Sequence, residues 1–479
     1  MKTKNISRLR WLLLAPLFVM TFSCTEKLDI KPQQSIDAKI ALSTPENIKT
    51  AMVGAYYTAR SQYIFGSYFD EVSELYASTG DMLFMGTFEE PAEFINKEAT
   101  TTNLFVEGMW MTAYNLINDC NMLLDPDVMA VLNDDDKDLI EGQARFLRGW
   151  VLFELTRFFG LPYVSGVTNS QMGVPIVLTP TKDASDAINV ARNTVEECYA
   201  QALADMIAAR DLLPGENDVY ATTYAASAVL ARIYLQMGNY GAAAVEANRV
   251  IESGAYSLMP TPLQAFNNAQ NCSEDIFALQ QNIASNDSWL PVMYASLNGT
   301  GRGDYEIQQP FLDRFDASDL RGMLQTNTDV SNTIADITRM YYIGVGTIVN
   351  SGGINTAKYG SYYTNISLIR LAEMYLVRAE ANFEDPGTDV GPNTPTQDIN
   401  IIRARANAPL YASAVTRDQI REERYLELCW EGFRLHDLKR WKMNIGTLPY
   451  NAGNLILPIP FREMQVNDLL VQNGWYTGE

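Results

Sequence analysis

Five glutamates in the C-terminal part of the chain are of the type that hydrolyses glycosidic bonds: Glu373, Glu380, Glu423, Glu427 and Glu431. Two catalytic carboxylates must flank a cleft at a set separation, and one of them needs a raised pKa. These five instead lie in segments of helical periodicity that also carry arginines, which predicts ion pairs. The lone histidine, His436, has no serine or cysteine partner that would make a triad. We therefore predict that the chain has no catalytic residues and is not an enzyme.

Metal chemistry is equally poorly supported. The run Asn133–Asp138 places carboxylates at alternate positions, as a calcium loop does, but it lacks the glycine and the distal glutamate of such loops. It is better interpreted as an N-cap and acidic first turn of a helix. One histidine and scattered cysteines cannot build a zinc site. The sequence predicts no metal and no cofactor.

Four cysteines follow Cys24 along the chain. None of them forms a Cys-x-x-Cys pair, and a chain of 479 residues does not need disulfides to hold its core. We interpret them as small buried apolar residues, although a disulfide among them remains an alternative. They are Cys120, Cys198, Cys272 and Cys429.

Aromatic residues in polar loops indicate ligand binding instead. A sugar ring has apolar C–H faces and hydroxyl groups, so a glycan site needs aromatic platforms beside hydrogen-bonding side chains. Segment Asn286–Tyr305 is the best candidate, because a tryptophan in a polar, glycine-containing loop has few apolar neighbours to bury it. Its candidate residues are Trp289, Tyr294, Tyr305, Asn286, Asp287, Asn298 and Arg302.

An earlier pair of loops offers further candidates, Tyr63 and Phe65, then Phe84 and Phe88. Phe84, Met85 and Phe88 carry neither a hydroxyl nor an indole, which leaves a peptide ligand open as an alternative. For any single aromatic, burial in the core is an equal alternative to ligand binding. Within segment Asn286–Tyr305, the Gly301-Arg-Gly-Asp304 sequence is interpreted as a turn with glycine at positive φ rather than as an adhesion motif.

The N-terminus has the pattern of a bacterial export signal. A basic stretch (residues 1–10) precedes an apolar one, Trp11–Phe22, and then Ser23-Cys24. The apolar run is shorter than the ~20 residues that span a bilayer. We predict a lipoprotein signal peptide over residues 1–23 and acylation of Cys24, which anchors the chain to a membrane. Thr21 stands where leucine is usual, and ordinary secretion is the alternative.

Charge and length limit the remaining possibilities. The net charge is −21, and removal of four signal cations (Lys2, Lys4, Arg8 and Arg10) brings it to −25. Such acidity argues against nucleic acid and against adhesion to anionic lipid. The chain is too long for one small compact core, so we expect two lobes or a stack of repeats.

Helical periodicity dominates the sequence. The segment Tyr220–Gly254 contains two alanine-rich helices joined at Gly238-Asn-Tyr240, which resembles a tetratricopeptide unit. The periodicity fails between about residues 259 and 363, where we expect loops and short strands. Further helices are predicted over Asn47–Ser61, Phe105–Leu124, Asp136–Phe159, Thr194–Leu213, a stripe opening at Ser367, and Arg417–Trp441.

The chain resembles the SusD/RagB family of outer-membrane nutrient-binding lipoproteins from the lipidation cysteine to its last ten residues. The motifs that carry the resemblance include Gly142–Arg148, Arg157–Pro162, Leu368–Ala381, Glu423–Arg434 and Leu457–Pro460. This chain departs from the family pattern in small ways. Asn407 stands where the family commonly has glycine, and the chain lacks the proline that family members often have at Asn473-Gly474. These are scaffold motifs, so they identify the family and not the ligand.

The resemblance implies a mostly α fold, with about four tetratricopeptide-like helix pairs and a loop-rich, mixed subdomain on one side. It divides the chain into an N-terminal region (24–215) and a C-terminal region (216–479) that form one unit. It also implies a SusC-like TonB-dependent outer-membrane channel as partner, on which the lipoprotein sits like a lid at the cell exterior. The expected ligand is an oligosaccharide. An oligopeptide and a surface glycoside hydrolase are the two alternatives.

Overall fold

Helices provide most of the regular structure in the computed structural model. It describes residues 41–477, apart from Ser285, residues 327–332, Thr347, Asn350, Ser351 and Thr388. The signal peptide over residues 1–23 and the acylated Cys24 therefore lie outside the described residues. The α-helices are α1 Pro45–Ala59, α2 Tyr68–Ala77, α3 Glu89–Asn96, α4 Leu104–Leu123, α5 Pro126–Met129, α6 Asp134–Phe159, α7 Val195–Leu212, α8 Thr223–Met237, α9 Tyr240–Glu252, α10 Leu290–Tyr294, α11 Gln309–Leu312, α12 Leu371–Glu384, α13 Pro395–Arg405, α14 Arg417–Leu428, α15 Arg434–Arg440 and α16 Phe461–Val466.

Capping residues set the helix boundaries as the sequence predicts. Thr44 accepts a hydrogen bond from the backbone N–H of Asn47 (3.3 Å) at the start of α1. Asn133 caps α6 in the same way, accepting from the N–H of Asp136 (2.9 Å), so the acidic run is the first turn of that helix. Gly238 ends α8 with φ of 71°, a left-handed conformation that favours glycine.

Long helices pack in sequence order as four antiparallel pairs: α1 with α4, α6 with α7, α8 with α9, and α12 with α13. Small side chains suit the close packing of α8 and α9, and Ala225 on α8 and Ala243 and Ala247 on α9 are fully buried. Each pair also packs on the next, which buries the outer face that an isolated pair would leave exposed. The predicted helical-repeat fold is confirmed.

Short strands are concentrated in the region that lacks helical periodicity. A five-stranded sheet has the order β1-β3-β6-β5-β4, and a two-stranded ribbon pairs β2 with β7. The strands are β1 Met82–Phe84, β2 Asp275–Leu279, β3 Tyr305–Ile307, β4 Leu324–Gln325, β5 Tyr341–Ile343, β6 Ile354–Thr356 and β7 Ile366–Arg370. The sheet therefore recruits β1 from the early part of the chain, outside the predicted 259–363 region.

Two helix predictions need correction. The apolar stripe that opens at Ser367 begins as a strand, because residues 366–370 pair with Asp275–Leu279, and its helix starts at Leu371. The helix predicted over Arg417–Trp441 breaks into α14 and α15. Trp430 and Gly432 between them have φ of 65° and 78°, which no α-helix accommodates.

Buried ion pairs join the scaffold to the C-terminal helices. The guanidinium of Arg370 contacts the carboxylates of Glu274 (2.7 Å), Glu427 (3.1 Å) and Glu431 (2.8 Å). Arg232 binds Glu373, and Arg440 binds Glu380. Arg321 and Arg403 bind Glu423. The ion pairing predicted for the five glutamates is confirmed.

Most buried apolar side chains, together with Cys120, Cys198 and Cys429, form a main core whose residues run from Leu42 to Leu470, and two smaller clusters lie apart from it. The four described cysteines are free. Cys120, Cys198 and Cys429 are buried, as predicted, whereas Cys272 is partly exposed.

Among the described residues, no helix is both long enough and apolar enough to cross a membrane.

Candidate functional site

The two regions that the sequence offers as alternative binding sites lie side by side. Strand β1 pairs antiparallel with β3, so that Phe84 lies opposite Tyr305 and Met82 opposite Ile307. The N–H of Met85 donates to the carbonyl of Asp304 (2.7 Å), which extends the pairing. The segment that ends in Phe88 is therefore fixed against the segment that contains Trp289.

Trp289, Phe88 and Arg302 form a small cluster in which the two rings are tilted against each other. The rings of Phe88 and Trp289 are 5.7 Å apart at 55°, and the guanidinium of Arg302 lies 4.7 Å from the centroid of Phe88. Trp289 and Phe88 are half-buried, which leaves part of each ring accessible. A cation over an aromatic face contributes roughly 0.5–1 kcal/mol at an exposed site, so Arg302 helps to fix the Phe88 ring.

A buried serine pair holds the backbone of Trp289. Ser67 Oγ accepts hydrogen bonds from the N–H groups of Trp289 (2.6 Å) and Leu290 (3.1 Å). Ser288 Oγ donates to the carbonyl of Gly66 (2.8 Å). Both serines are buried, so these bonds are shielded from water and position the indole on a rigid support.

The exposed surface continues on the other side of Trp289. Asp287 accepts from Arg60 Nη2 (3.3 Å), and the Arg60 guanidinium lies 4.6 Å from the ring centroid of Tyr57. Tyr57 is 59% exposed. We call this set of residues the aromatic rim: Tyr57, Arg60, Asp287, Trp289, Phe88 and Arg302.

Amide side chains border the aromatic rim at Arg60. Its Nη1 donates to the carbonyl of Gln280 (3.3 Å), and the side chain of Gln280 binds those of Asn271 (2.7 Å) and Asn365 (2.9 Å). Asn271 is exposed and the other two amides are partly buried. Amides both donate and accept, so this cluster complements the hydroxyl groups of a sugar.

The charges of the aromatic rim are internally balanced. Arg302 Nε donates to Asp304 (3.0 Å), a carboxylate without solvent exposure, and Arg60 pairs with Asp287. Burial raises the pKa of Asp304, and the hydrogen bond and charge of Arg302 act in the opposite direction. Because each of these two arginines has its own carboxylate, the rim carries no free cation to attract an anionic ligand.

Tyr294 and Tyr305 correct the sequence-based prediction. Both are fully buried, with ring centroids 4.8 Å apart, so neither presents a face to an external ligand. The hydroxyl of Tyr305 donates to Glu71 on α2 (2.7 Å). Their role in this structure is to pack the loop-rich region on the helical scaffold.

The other candidates are divided between surface and core. Asn286 and Asn298 are exposed, and Tyr63 is 39% exposed beside the buried Tyr68 ring (5.5 Å). Phe84 is half-buried 6.1 Å from Tyr305. Phe65, which the sequence also suggested, is buried against Trp150 (4.5 Å).

The turn at Gly301–Asp304 supports the site. Gly301 and Gly303 have φ of 78° and 68°, which confirms the predicted positive φ at these glycines. The N–H of Gly301 donates to the hydroxyl of Tyr362 (2.8 Å). A Cβ on Gly86 would lie 2.7 Å from the carboxyl carbon of Asp304, so glycine there lets β1 approach this turn closely.

Sequence reasoning missed Tyr57 of the aromatic rim. It lies inside an amphipathic helix, where Tyr56 faces inward and packs 4.9 Å from Tyr220. The signal available was its position: helical periodicity places Tyr57 on the outward face, where a large aromatic residue has no packing role.

Within the described residues, no group of three or more His, Cys, Asp or Glu side chains is arranged to hold a metal ion.

Comparisons with known proteins agree with this architecture. A family model described as "Starch-binding associating with outer membrane" matches residues 26–235, and one described as "SusD family" matches residues 319–455. SusD-like protein P2 of Formosa agariphila is 24% identical over 519 residues, covering 96% of this chain and 97% of its own. The starch-binding protein SusD of Bacteroides thetaiotaomicron is 31% identical over 256 residues, covering 45% of this chain and 43% of its own.

Solved structures show the same fold. A SusD superfamily protein from Bacteroides thetaiotaomicron has a TM-score of 0.77 and 25% identity, covering 90% of this chain and 99% of its own. A protein from Bacteroides vulgatus described as a putative sugar binding protein has a TM-score of 0.75 and 26% identity, covering 91% and 100%.

Proposed function

The chain belongs to the SusD/RagB family, and on that premise we propose that it is a cell-surface lipoprotein that captures oligosaccharide at the aromatic rim and delivers it to a SusC-like TonB-dependent channel. One observation carries the choice of ligand. Trp289 and Phe88 form a partly accessible aromatic surface on rigid backbone, next to the Arg60–Asp287 pair and the amide cluster. Such a surface offers C–H stacking and hydroxyl recognition together.

The balanced charges of the aromatic rim favour a neutral glycan. Arg60 and Arg302 are each engaged by a carboxylate, and the whole chain is strongly acidic. A sulfated or uronate-rich chain would have to displace one of these carboxylates. Neutral hydroxyl groups can instead accept from the arginines and donate to the aspartates without breaking either pair.

The family and the N-terminal pattern support the proposed localisation and partner. The basic and apolar stretches before Cys24 support export and acylation, which would anchor the protein to the outer membrane with its body at the cell exterior. A tethered binding protein raises the local concentration of ligand at a neighbouring channel. Ligand capture needs no bond cleavage, consistent with the family's role in binding substrate without catalysis.

The class of ligand can be tested by isothermal titration of the chain lacking residues 1–24. The panel would contain neutral hexasaccharides (maltohexaose, cellohexaose, xylohexaose and mannohexaose), a hexagalacturonate and a mixture of oligopeptides. Saturable heat with a neutral hexasaccharide supports the proposal. Binding of peptides alone would replace glycan by oligopeptide as the ligand, and preferential binding of the hexagalacturonate would contradict the neutral-glycan assignment.

A further inference from the structure

A groove of about 600 Å³ lies at the far end of α3 from the aromatic rim. Phe88 of the rim immediately precedes α3, whereas Asn96 ends this eight-residue helix and lines the groove. At 1.5 Å per residue, the helix separates the two places by roughly 12 Å. The groove is also lined by Ser78, Thr79, Lys97, Thr447, Asn454 and Trp475.

Trp475 forms the aromatic wall of the groove. Its side chain is 62% exposed, and of the tryptophans in the described residues it is the one counted as exposed. The neighbouring Tyr476 is buried, and its hydroxyl donates to the carbonyl of Ile456 (2.9 Å). A Cβ added to Gly453 would lie 3.0 Å from Trp475 Cβ, so the base of the indole packs closely on that backbone. The ring is therefore fixed at its base and open on its face.

A buried acceptor lines the same groove. Asn454 is 8% exposed, and its Nδ2 donates to the carbonyl of Lys97 (3.3 Å). Its Oδ1 is buried and has no hydrogen-bond partner among the described residues. A buried acceptor without a partner costs roughly 1–3 kcal/mol, and a donor that entered the groove would recover this loss.

Lys97 adds a donor at the end of α3. Its Nζ donates to the carbonyls of Ser78 (2.7 Å) and Ile95 (2.6 Å), which fixes the ammonium in place. An ammonium has three N–H donors, so one is left for a ligand. Burial lowers the pKa of Lys97 to about 8, so the group is still mostly protonated at neutral pH.

We propose that this groove is a second sugar-binding site, in which a pyranose ring stacks on Trp475 and one of its hydroxyls donates to Oδ1 of Asn454. The lining is mixed, with Ile445 and Leu448 beside the polar groups and a single exposed indole, which suits the apolar face and the hydroxyl groups of a sugar. The proposal extends the proposed function to a second place on the molecule. It rests on the groove's own residues and stands whether or not the rim binds.

Fluorine NMR can observe the two sites separately. The chain from residue 25 contains six of the seven tryptophans, which 5-fluorotryptophan would label. The Trp475→Phe and Trp289→Phe variants assign the two signals. We expect the Trp475 signal to shift saturably with at least one of maltohexaose, cellohexaose, xylohexaose and mannohexaose, and to do so equally in a Trp289→Ala background. A Trp475 signal that stays fixed with all four sugars overturns the second site, whatever the Trp289 signal does.

Two further variants separate sugar binding from general effects. Gly453→Ala keeps the indole but displaces its base, so we expect it to weaken binding at Trp475 at least threefold with little change in the melting temperature. Phe461→Ala removes an aromatic residue that is 49% exposed and is not among the residues that line the groove, and it should leave the titration unchanged. An equal loss in both variants would contradict a site built around Trp475.

Discussion

The ring centroids of Trp289 and Phe88 lie 5.7 Å apart, although Phe88 precedes most of the helical repeats and Trp289 follows most of them. The pairing of β1 with β3 and the Ser67–Trp289 hydrogen bond together produce this contact. The candidate site is therefore a product of the tertiary fold. Variants that disturb its supports should affect binding without removing any residue of the aromatic rim.

Ser67 provides the first such test. In Ser67→Ala the buried N–H of Trp289 loses its acceptor, so we expect the free energy of unfolding to fall by about 1–3 kcal/mol. We also expect hexasaccharide affinity to fall severalfold, because the indole loses its backbone support. Urea unfolding and isothermal titration measure the two effects. The matched control is Ser73→Ala inside α2, the helix that Ser67 precedes; Ser73 Oγ accepts from the N–H of Leu435 (3.3 Å) away from the rim. That control should lose stability and keep its affinity, and equal affinities in the two variants would contradict the proposed support.

The buried carboxyl of Glu71 predicts a pH dependence of stability. Burial raises its pKa from 4.5 to about 8, while the hydrogen bond from Tyr305 acts in the opposite direction. A carboxyl with a higher pKa in the folded chain binds its proton more tightly when folded. Its contribution to stability is thus fully present below about pH 4.5 and is lost as the pH rises to about 8.

Glu71→Gln isolates this contribution, because glutamine resembles the protonated carboxyl and does not titrate. We expect the unfolding free energy of the wild-type chain, relative to the variant, to decrease between pH 5 and pH 8. Urea unfolding at four pH values in this range measures the difference. Curves that remain parallel would show that Glu71 does not hold a proton in the folded protein.

The Arg370 ion-pair network predicts a large effect on stability. Arg370→Met leaves buried carboxylates of Glu274, Glu427 and Glu431 with fewer partners, so we expect a loss of about 3–5 kcal/mol. The control is Arg417→Met, which breaks the exposed pair with Glu384 and should cost under about 1 kcal/mol. Chemical denaturation compares the two. Similar losses in both variants would mean that the buried network adds nothing beyond a surface pair.

Much of the scaffold was predictable from local sequence signals. Helix ends coincide with caps such as Thr44 and Thr194, and Gly238 divides the α8–α9 pair as expected. The break at Trp430 and Gly432 was not predictable in this way. The helical stripe continues through both residues in sequence, whereas the extended ψ of Cys429 (140°) and the positive φ values of Trp430 and Gly432 end the helix.

The candidate site was predictable in part. A tryptophan in a polar loop correctly indicated a partly accessible indole at Trp289. The same loop gave no sign that the Tyr305 hydroxyl would bond Glu71, which is 234 residues away in sequence, and that contact buries the ring. The sequence analysis did not offer Trp475 as a candidate, because its exposure depends on how the C-terminal segment packs on Gly453.

The most direct test of glycan capture at the aromatic rim is isothermal titration of Trp289→Ala with the hexasaccharide that the unmodified chain binds most tightly. If Trp289 is a principal contact, we expect its removal to cost about 2 kcal/mol, a roughly thirtyfold rise in Kd. The variant should still unfold cooperatively, at a somewhat lower urea concentration, because the half-buried indole packs on the core. An unchanged Kd in a folded variant would contradict the account and place the glycan site elsewhere on the protein.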